Sequence, residues 1–156
     1  MAAKQLKQDL ESRIGTEIKV SDWIEIDQER INLFADATGD HQWIHVDPER
    51  ARRESPFGDA VAHGFLTLSL IPHLIGTSAL ELPEAKDVKL GVNYGLNRVR
   101  FPAPVLVGSR VRARSTLLSV EEVGDNALQL ASQVTLEVEN GSKPCCVAET
   151  LSRLYF

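Results

Sequence analysis

Residues 61–75 are apolar on nearly every side, and Gly76 ends the run. A helix that is hydrophobic all round belongs at the centre of a domain, not on its surface. Pro72 lacks an N–H, so it should kink or end that helix. Everything after this run reads as strand. Residues 88–101, 109–123, 127–139 and 145–156 are long β-branched or alternating runs. Turn signals divide them at 102–108, at Gly124-Asp125-Asn126 and at Asn140-Gly141. One buried helix followed by four strands has an economical packing: a curved antiparallel sheet wrapped around a central apolar helix, in the α+β class.

The chain upstream of the helix is short and well punctuated. Residues 4–14 set Leu6, Leu10 and Ile14 four apart, which predicts a short amphipathic helix over the first 14 residues, packed on the body or on a partner. Residues 17–26 alternate Ile18, Val20, Asp22, Ile24, Ile26, a first strand. Asp27 is placed to cap a helix over 28–38, with Ile31, Phe34, Ala35 and Thr38 towards the core, and Gly39 sits where such helices end. Asp40 therefore begins a loop. Asp47 and Pro48 open a second short helix over 48–54, and residues 55–59 are turn chemistry. There are no repeats, linkers or low-complexity stretches, so 156 residues make one domain.

Composition narrows the function. The formal charge is −5, and no basic tract interleaves with aromatics, which argues against nucleic acid. Arginines between Arg98 and Arg114 alternate with apolar residues, as in a strand pair with one solvated face; nucleotide phosphates could use some of them. Cys145 and Cys146 are adjacent, and neighbours in a strand point to opposite faces, so the pair should stay reduced, with no catalytic thiol expected. No Cys/His spacing suggests a metal, and no apolar stretch is long enough for a membrane span. The N-terminus lacks the apolar core of a signal peptide, and a cytoplasmic location is the expectation.

Two short segments carry chemistry. In Gly39-Asp40-His41-Gln42-Trp43-Ile44-His45 a carboxylate and an imidazole stand five residues apart. Ala62-His63-Gly64 then opens the apolar helix, whose first N–H groups lack intrahelical partners and can hold a developing oxyanion. Taken alone, Asp40 reads as a loop residue or cap, and His45 as a surface or core histidine. His63 more naturally orients the helix start by bonding backbone groups. His41 reads as solvated, Asp47 as a helix cap, and His73 as a core or subunit-contact residue.

These segments, together with Asn93-Tyr94-Gly95-Leu96-Asn97-Arg98-Val99-Arg100-Phe101-Pro102 and Val107-Gly108-Ser109-Arg110-Val111, resemble the MaoC-like (R)-specific enoyl-CoA hydratases, or hydratase 2. The resemblance runs from about Gly15 to the C-terminus. It departs at Gln42-Trp43, where many members carry Asn-Pro. It implies a hot-dog fold and the reversible hydration of trans-2-enoyl-CoA to (R)-3-hydroxyacyl-CoA. It implies Asp40 and His45 as the water-activating pair, and the thioester oxygen held near Gly64, with His63 beside it. It implies an acyl-CoA substrate, a homodimer, and no metal or redox cofactor. Asn93, Tyr94 and Gly95 could line the acyl or pantetheine channel; otherwise Tyr94 packs the core and Gly95 makes a bulge. The depth of the pocket should depend on Trp43, Phe57, Phe65 and the loop over 80–88. Rival readings are a hot-dog acyl-CoA thioesterase and an acyl-CoA-binding subunit without turnover.

Overall fold

Four long strands form the frame. The computed structural model describes residues 2–76, 85–124 and 126–156. Helix α1 (Ala2–Glu11) precedes the short strands β1 (Glu17–Val20) and β2 (Ile24–Glu25). Helices α2 (Gln28–Thr38), α3 (Trp43–Val46), α4 (Pro48–Glu54), α5 (Gly64–Ser69) and α6 (Ile71–Ile75) follow. Strands β3 (Leu90–Arg100), β4 (Arg110–Val123), β5 (Ala127–Val138) and β6 (Cys146–Tyr155) close the chain. All pairings are antiparallel, in the order β1-β4-β5-β6-β3, with β2 also on β4.

The curved sheet closes on α5 and α6. Leu66, Leu70, Ile71, Leu74 and Ile75 meet Val111, Ala113, Val134, Leu136 and Ala148 in one buried cluster. These strand residues alternate on one face, which fixes the register, because a one-residue slip would turn them all to solvent. A second cluster joins Leu6 and Leu10 of α1 to Leu117, Leu128, Leu130 and Leu154. Helix α1 thus covers the far end of the same inner face.

Several expectations are corrected. The central helix is not continuous over 61–75. Val61 pairs in a bridge with Leu106, and the helix starts at Gly64 and breaks at Leu70. Pro72 sits in the first turn of α6, where its missing N–H costs no hydrogen bond. Residues 17–26 form two strands, because the chain leaves β4 at Ser21, whose Oγ accepts from Ala113 N. Helix α1 ends at Glu11, leaving Ile14 in a turn and exposed. Thr38 does not face the core; it is exposed, and its Oγ1 donates to Phe34 O.

The arginines are not on one strand pair. Arg98 and Arg100 lie on β3, at the opposite side of the sheet from Arg110, Arg112 and Arg114 on β4. Those three are ion-paired on the outer face with Glu139, Glu137 and Glu17. Cys145 and Cys146 are free and both lie in the same buried cluster, because Cys145 precedes the strand rather than alternating within it. Part of the 80–88 loop, residues 80–84, lies outside the described residues.

Candidate active site

Three elements bring the predicted pair together. Asp27 accepts from Arg30 N and caps α2 as expected, and Gly39 ends the helix at φ 79°, a left-handed turn that glycine makes without strain. The chain then reverses, and Asp40 Oδ1 accepts from Gln42 N at 3.3 Å. His45 is not on an open loop: it lies within α3, a single turn. Gln42 precedes α3 and Trp43 begins it, with the Arg50 guanidinium 4.3 Å over the indole. Asp47 caps α4 by accepting from Arg50 N.

His45 is buried and held twice. Its Nδ1 donates to Val61 O at 2.6 Å, which leaves Nε2 as the open, accepting nitrogen. Its carbonyl accepts from Gln28 Nε2 at 2.7 Å. Burial pushes the imidazole below its ordinary 6.5, and the neighbouring His63 adds to that. Neutral His45 is therefore the resting form near pH 7.

His63 is 2% exposed and links the two segments. Its Nε2 donates to Asp40 O at 2.9 Å, across 23 residues of sequence. Its ring stacks on His45 and tilts against Phe34. The expectation that His63 bonds backbone groups is met, and its partner is the backbone of Asp40 itself. The Asp40 carboxylate is half exposed and 4.0 Å from His63 Nε2. One oxygen of Asp40 and one nitrogen from each histidine lie within 4.8 Å of one another, room for a shared water.

Each of these rings has one nitrogen already engaged by a carbonyl. That leaves one nitrogen on each ring, His45 Nε2 and His63 Nδ1, without a carbonyl partner among the described residues.

A cavity of about 330 Å³ opens beside this cluster. His45 and Gly64 are on its wall, with Phe57, Phe101, Thr67 and Cys145. Cys145 is no nucleophile: burial pushes its thiol up to about 12, and Sγ donates to Leu136 O. Gly64 is the first residue of α5, where a backbone N–H has no intrahelical partner. Phe101 packs directly over it. A Cβ at Gly64 would fall 3.0 Å from the Phe101 ring.

Asn93, Tyr94 and Gly95 lie elsewhere. They line a second groove of about 400 Å³, between β3 and the α5–α6 junction, with Leu68, Pro72 and Thr150. Tyr94 is exposed, so it does not pack the core, and Arg153 sits 3.4 Å over its ring. The register shift between Asn93 and Gly95 is the bulge expected there. His41 is exposed and bonded to Asp36, and His73 is exposed, which removes its core reading. Sequence reasoning missed Gln28, Phe101 and the Val61 carbonyl. A first-turn helix residue, an aromatic just beyond a strand end and a main-chain oxygen carry no local sign of a distant partner.

The model of the MaoC like domain matches residues 9–140. The chain belongs to the MaoC-like dehydratase family. It is 56% identical over 145 residues to 3-hydroxyacyl-thioester dehydratase Z of Mycobacterium tuberculosis, covering 93% of each chain. It is 48% identical over 148 residues to nodulation protein N of Rhizobium leguminosarum bv. viciae, covering 95% of this chain and 90% of that one. Among solved structures, the (R)-hydratase from A. caviae involved in PHA biosynthesis superposes with a TM-score of 0.66 at 21% identity, covering 89% of this chain and 94% of the other. That likeness shows the hot-dog fold. As a MaoC-like dehydratase the chain thus combines its Asp40–His45–His63 cluster with a cavity that ends on the first turn of α5. Among the described residues no helix is long and apolar enough to cross a membrane.

Proposed function

We propose that this dehydratase is a cytoplasmic enzyme that reversibly hydrates trans-2-enoyl-CoA to (R)-3-hydroxyacyl-CoA. The observation that carries the reading is a cavity walled by both His45 and the start of α5, with the Asp40 carboxylate close to His45. Hydration needs a water held over C3, a base to take its proton, a proton for C2, and a donor to the thioester oxygen as enolate character grows. A water between the Asp40 carboxylate and His45 Nε2 meets the first two needs. Neutral His45 has one N–H, and Val61 holds it. The proton that reaches C2 is then one the water gave up, returned by the same pair. Oxygen and hydrogen are added to one face, and the reverse sequence expels water.

The Gly64 N–H supplies the donor. Because α5 is only six residues long, the N–H itself, not a long helix dipole, must do this. His63 fixes Asp40 relative to His45. Asn93, Tyr94 and Gly95 line the groove along which the rest of the acyl-thioester lies.

The reading is tested with crotonyl-CoA. Loss of enoyl absorbance without free thiol supports hydration; thiol release indicates a thioesterase, and binding without turnover a non-catalytic subunit. Coupling to an (S)-specific 3-hydroxyacyl-CoA dehydrogenase should give little NADH. Prompt, complete coupling would refute the (R) assignment.

A further inference from the structure

A seam of polar side chains crosses the inner face of the sheet between the two apolar clusters. Ser132 faces Thr150 across β5 and β6, and Ser152 faces Asn93 across β6 and β3. With Ser115 they line a small recess of about 50 Å³ beneath Ile71, Pro72 and Ile75. The recess shares Ile71, Pro72, Asn93 and Thr150 with the larger groove beside β3, so it is the deep end of that groove.

Ser115 is the decisive residue. It is 0% exposed, and its Oγ has no hydrogen-bond partner among the described residues. Its neighbours on the same strand face are Val111, Ala113 and Leu117, all buried and apolar. A small apolar residue would fill the position without an unpaired hydroxyl, which is costly to bury. Among the described residues no charged side chain is on the recess wall. The site therefore suits a neutral hydrogen-bonding group, not a carboxylate, phosphate or amine. Ile71, on the recess wall, opens α6 seven residues beyond Gly64, across the break at Leu70. A chain running from a thioester at Gly64 along α5 and α6 reaches the recess at medium length.

We propose that this recess binds a neutral oxygen, a hydroxyl or keto group, carried towards the far end of the substrate's acyl chain. The inference rests on the enoyl-CoA hydratase reading and adds the substrate class to it. Ser115 Oγ would bond that oxygen, while Ile71, Pro72 and Ile75 cover the methylenes before it.

The test compares trans-2-hexenoyl-, octenoyl- and decenoyl-CoA, each beside its ω-hydroxy counterpart. At the length that reaches the recess, the hydroxylated substrate should gain about twofold to tenfold in kcat/KM over the plain one, the yield of one net hydrogen bond. In Ser115→Ala that ratio should fall to about one, and Ser132→Ala should lower it less. Equal rates within every pair, while the plain substrates are hydrated, would overturn the inference and leave the hydratase reading standing. So would a preference that survives Ser115→Ala. A Ser115→Ala protein that melts higher with its ratio unchanged would show the hydroxyl to be a structural oddity, which also overturns it. If none of the plain enoyl-CoAs is hydrated, the hydratase reading falls and this inference with it.

Discussion

The imidazole rings of His45 and His63 stack with 3.8 Å between centroids and 24° between planes. At that distance a second positive ring would be repelled, so after burial itself His63 is a further influence against charging His45. Contact with His63 also keeps His45 flat against its neighbour while Val61 fixes its Nδ1. His63 thus acts through both members of the proposed pair: it stacks on one and bonds the backbone of the other.

His63→Gln should test that positioning role. Glutamine can still donate to the Asp40 carbonyl but cannot stack. Turnover should fall about tenfold, less than for either member of the pair, with KM for crotonyl-CoA little changed and a lower Tm. A loss as deep as that of His45→Gln, with an unchanged melt, would mean that His63 itself transfers a proton.

The pH dependence follows from the direction of the His45 shift. Burial lowers its pKa below 6.5, so the neutral, accepting form persists to lower pH than in a free histidine. The acid limb of kcat/KM that belongs to His45 should therefore lie below pH 6.5. Stability has the same sign. The unfolded chain takes up the proton near 6.5 and the folded chain only at lower pH. This group's contribution is full above 6.5 and is lost as pH falls through the lower, folded value. Comparing Tm against pH for the wild type and His45→Gln isolates it; a contribution that instead declines as pH rises would contradict the assigned direction.

Asp40→Asn and His45→Gln should each fold and lose most turnover, by about 100- to 10,000-fold, the usual range for a general acid or base. The Asp40 carboxylate is half exposed, so its replacement should barely move Tm. His45 is buried and hydrogen-bonded to Val61, so its replacement should cost about 1–3 kcal/mol of stability. Wild-type hydration of crotonyl-CoA by either variant would remove that residue from the mechanism.

Much of this was legible in local chemistry. Asp27, Gly39, Asp47 and Pro48 mark helix ends through bonds made within three or four residues, and each sits where the sequence puts it. The four long strands declare themselves by alternation. The break at Leu70 was harder to read, because a run that is apolar on all sides carries no periodicity to mark where one helix stops. The role of Phe101 over Gly64 and the bond from Gln28 to His45 depend on where the sheet carries distant residues. The seam through Ser115 looks, in sequence, like an ordinary strand alternation with one small polar member.

The long edge strand predicts a dimer. Strand β3 pairs with β6 on one side, and no strand pairs with its other side among the described residues. It spans 11 residues and exposes Leu90, Val92, Tyr94 and Leu96. Such an edge is an open template for another strand, and a second copy of β3 would cover it. Sedimentation should show a dimer at micromolar concentration, and Val92→Lys should weaken it. A stable wild-type monomer with full activity would count against both the dimer and a site shared between subunits.

Gly64 separates packing from chemistry. A methyl there would lie 3.0–3.2 Å from three ring carbons of Phe101, nearer than the roughly 3.5–4.0 Å of a settled carbon contact. It would also stand beside the N–H proposed to meet the thioester oxygen. Gly64→Ala and Gly64→Val should lower turnover at saturating substrate more than they raise KM, because the oxyanion is fully developed only in the transition state. Loss of one such donor typically costs about 100- to 1,000-fold. Crowding against Phe101 is the competing cause, and the ring is half exposed, so it can be removed without emptying the core. Adding Phe101→Leu to Gly64→Ala should restore much of the Tm and little of the turnover per folded molecule. Full recovery of turnover in the double variant would show that Gly64 serves the packing of Phe101 and not the oxyanion.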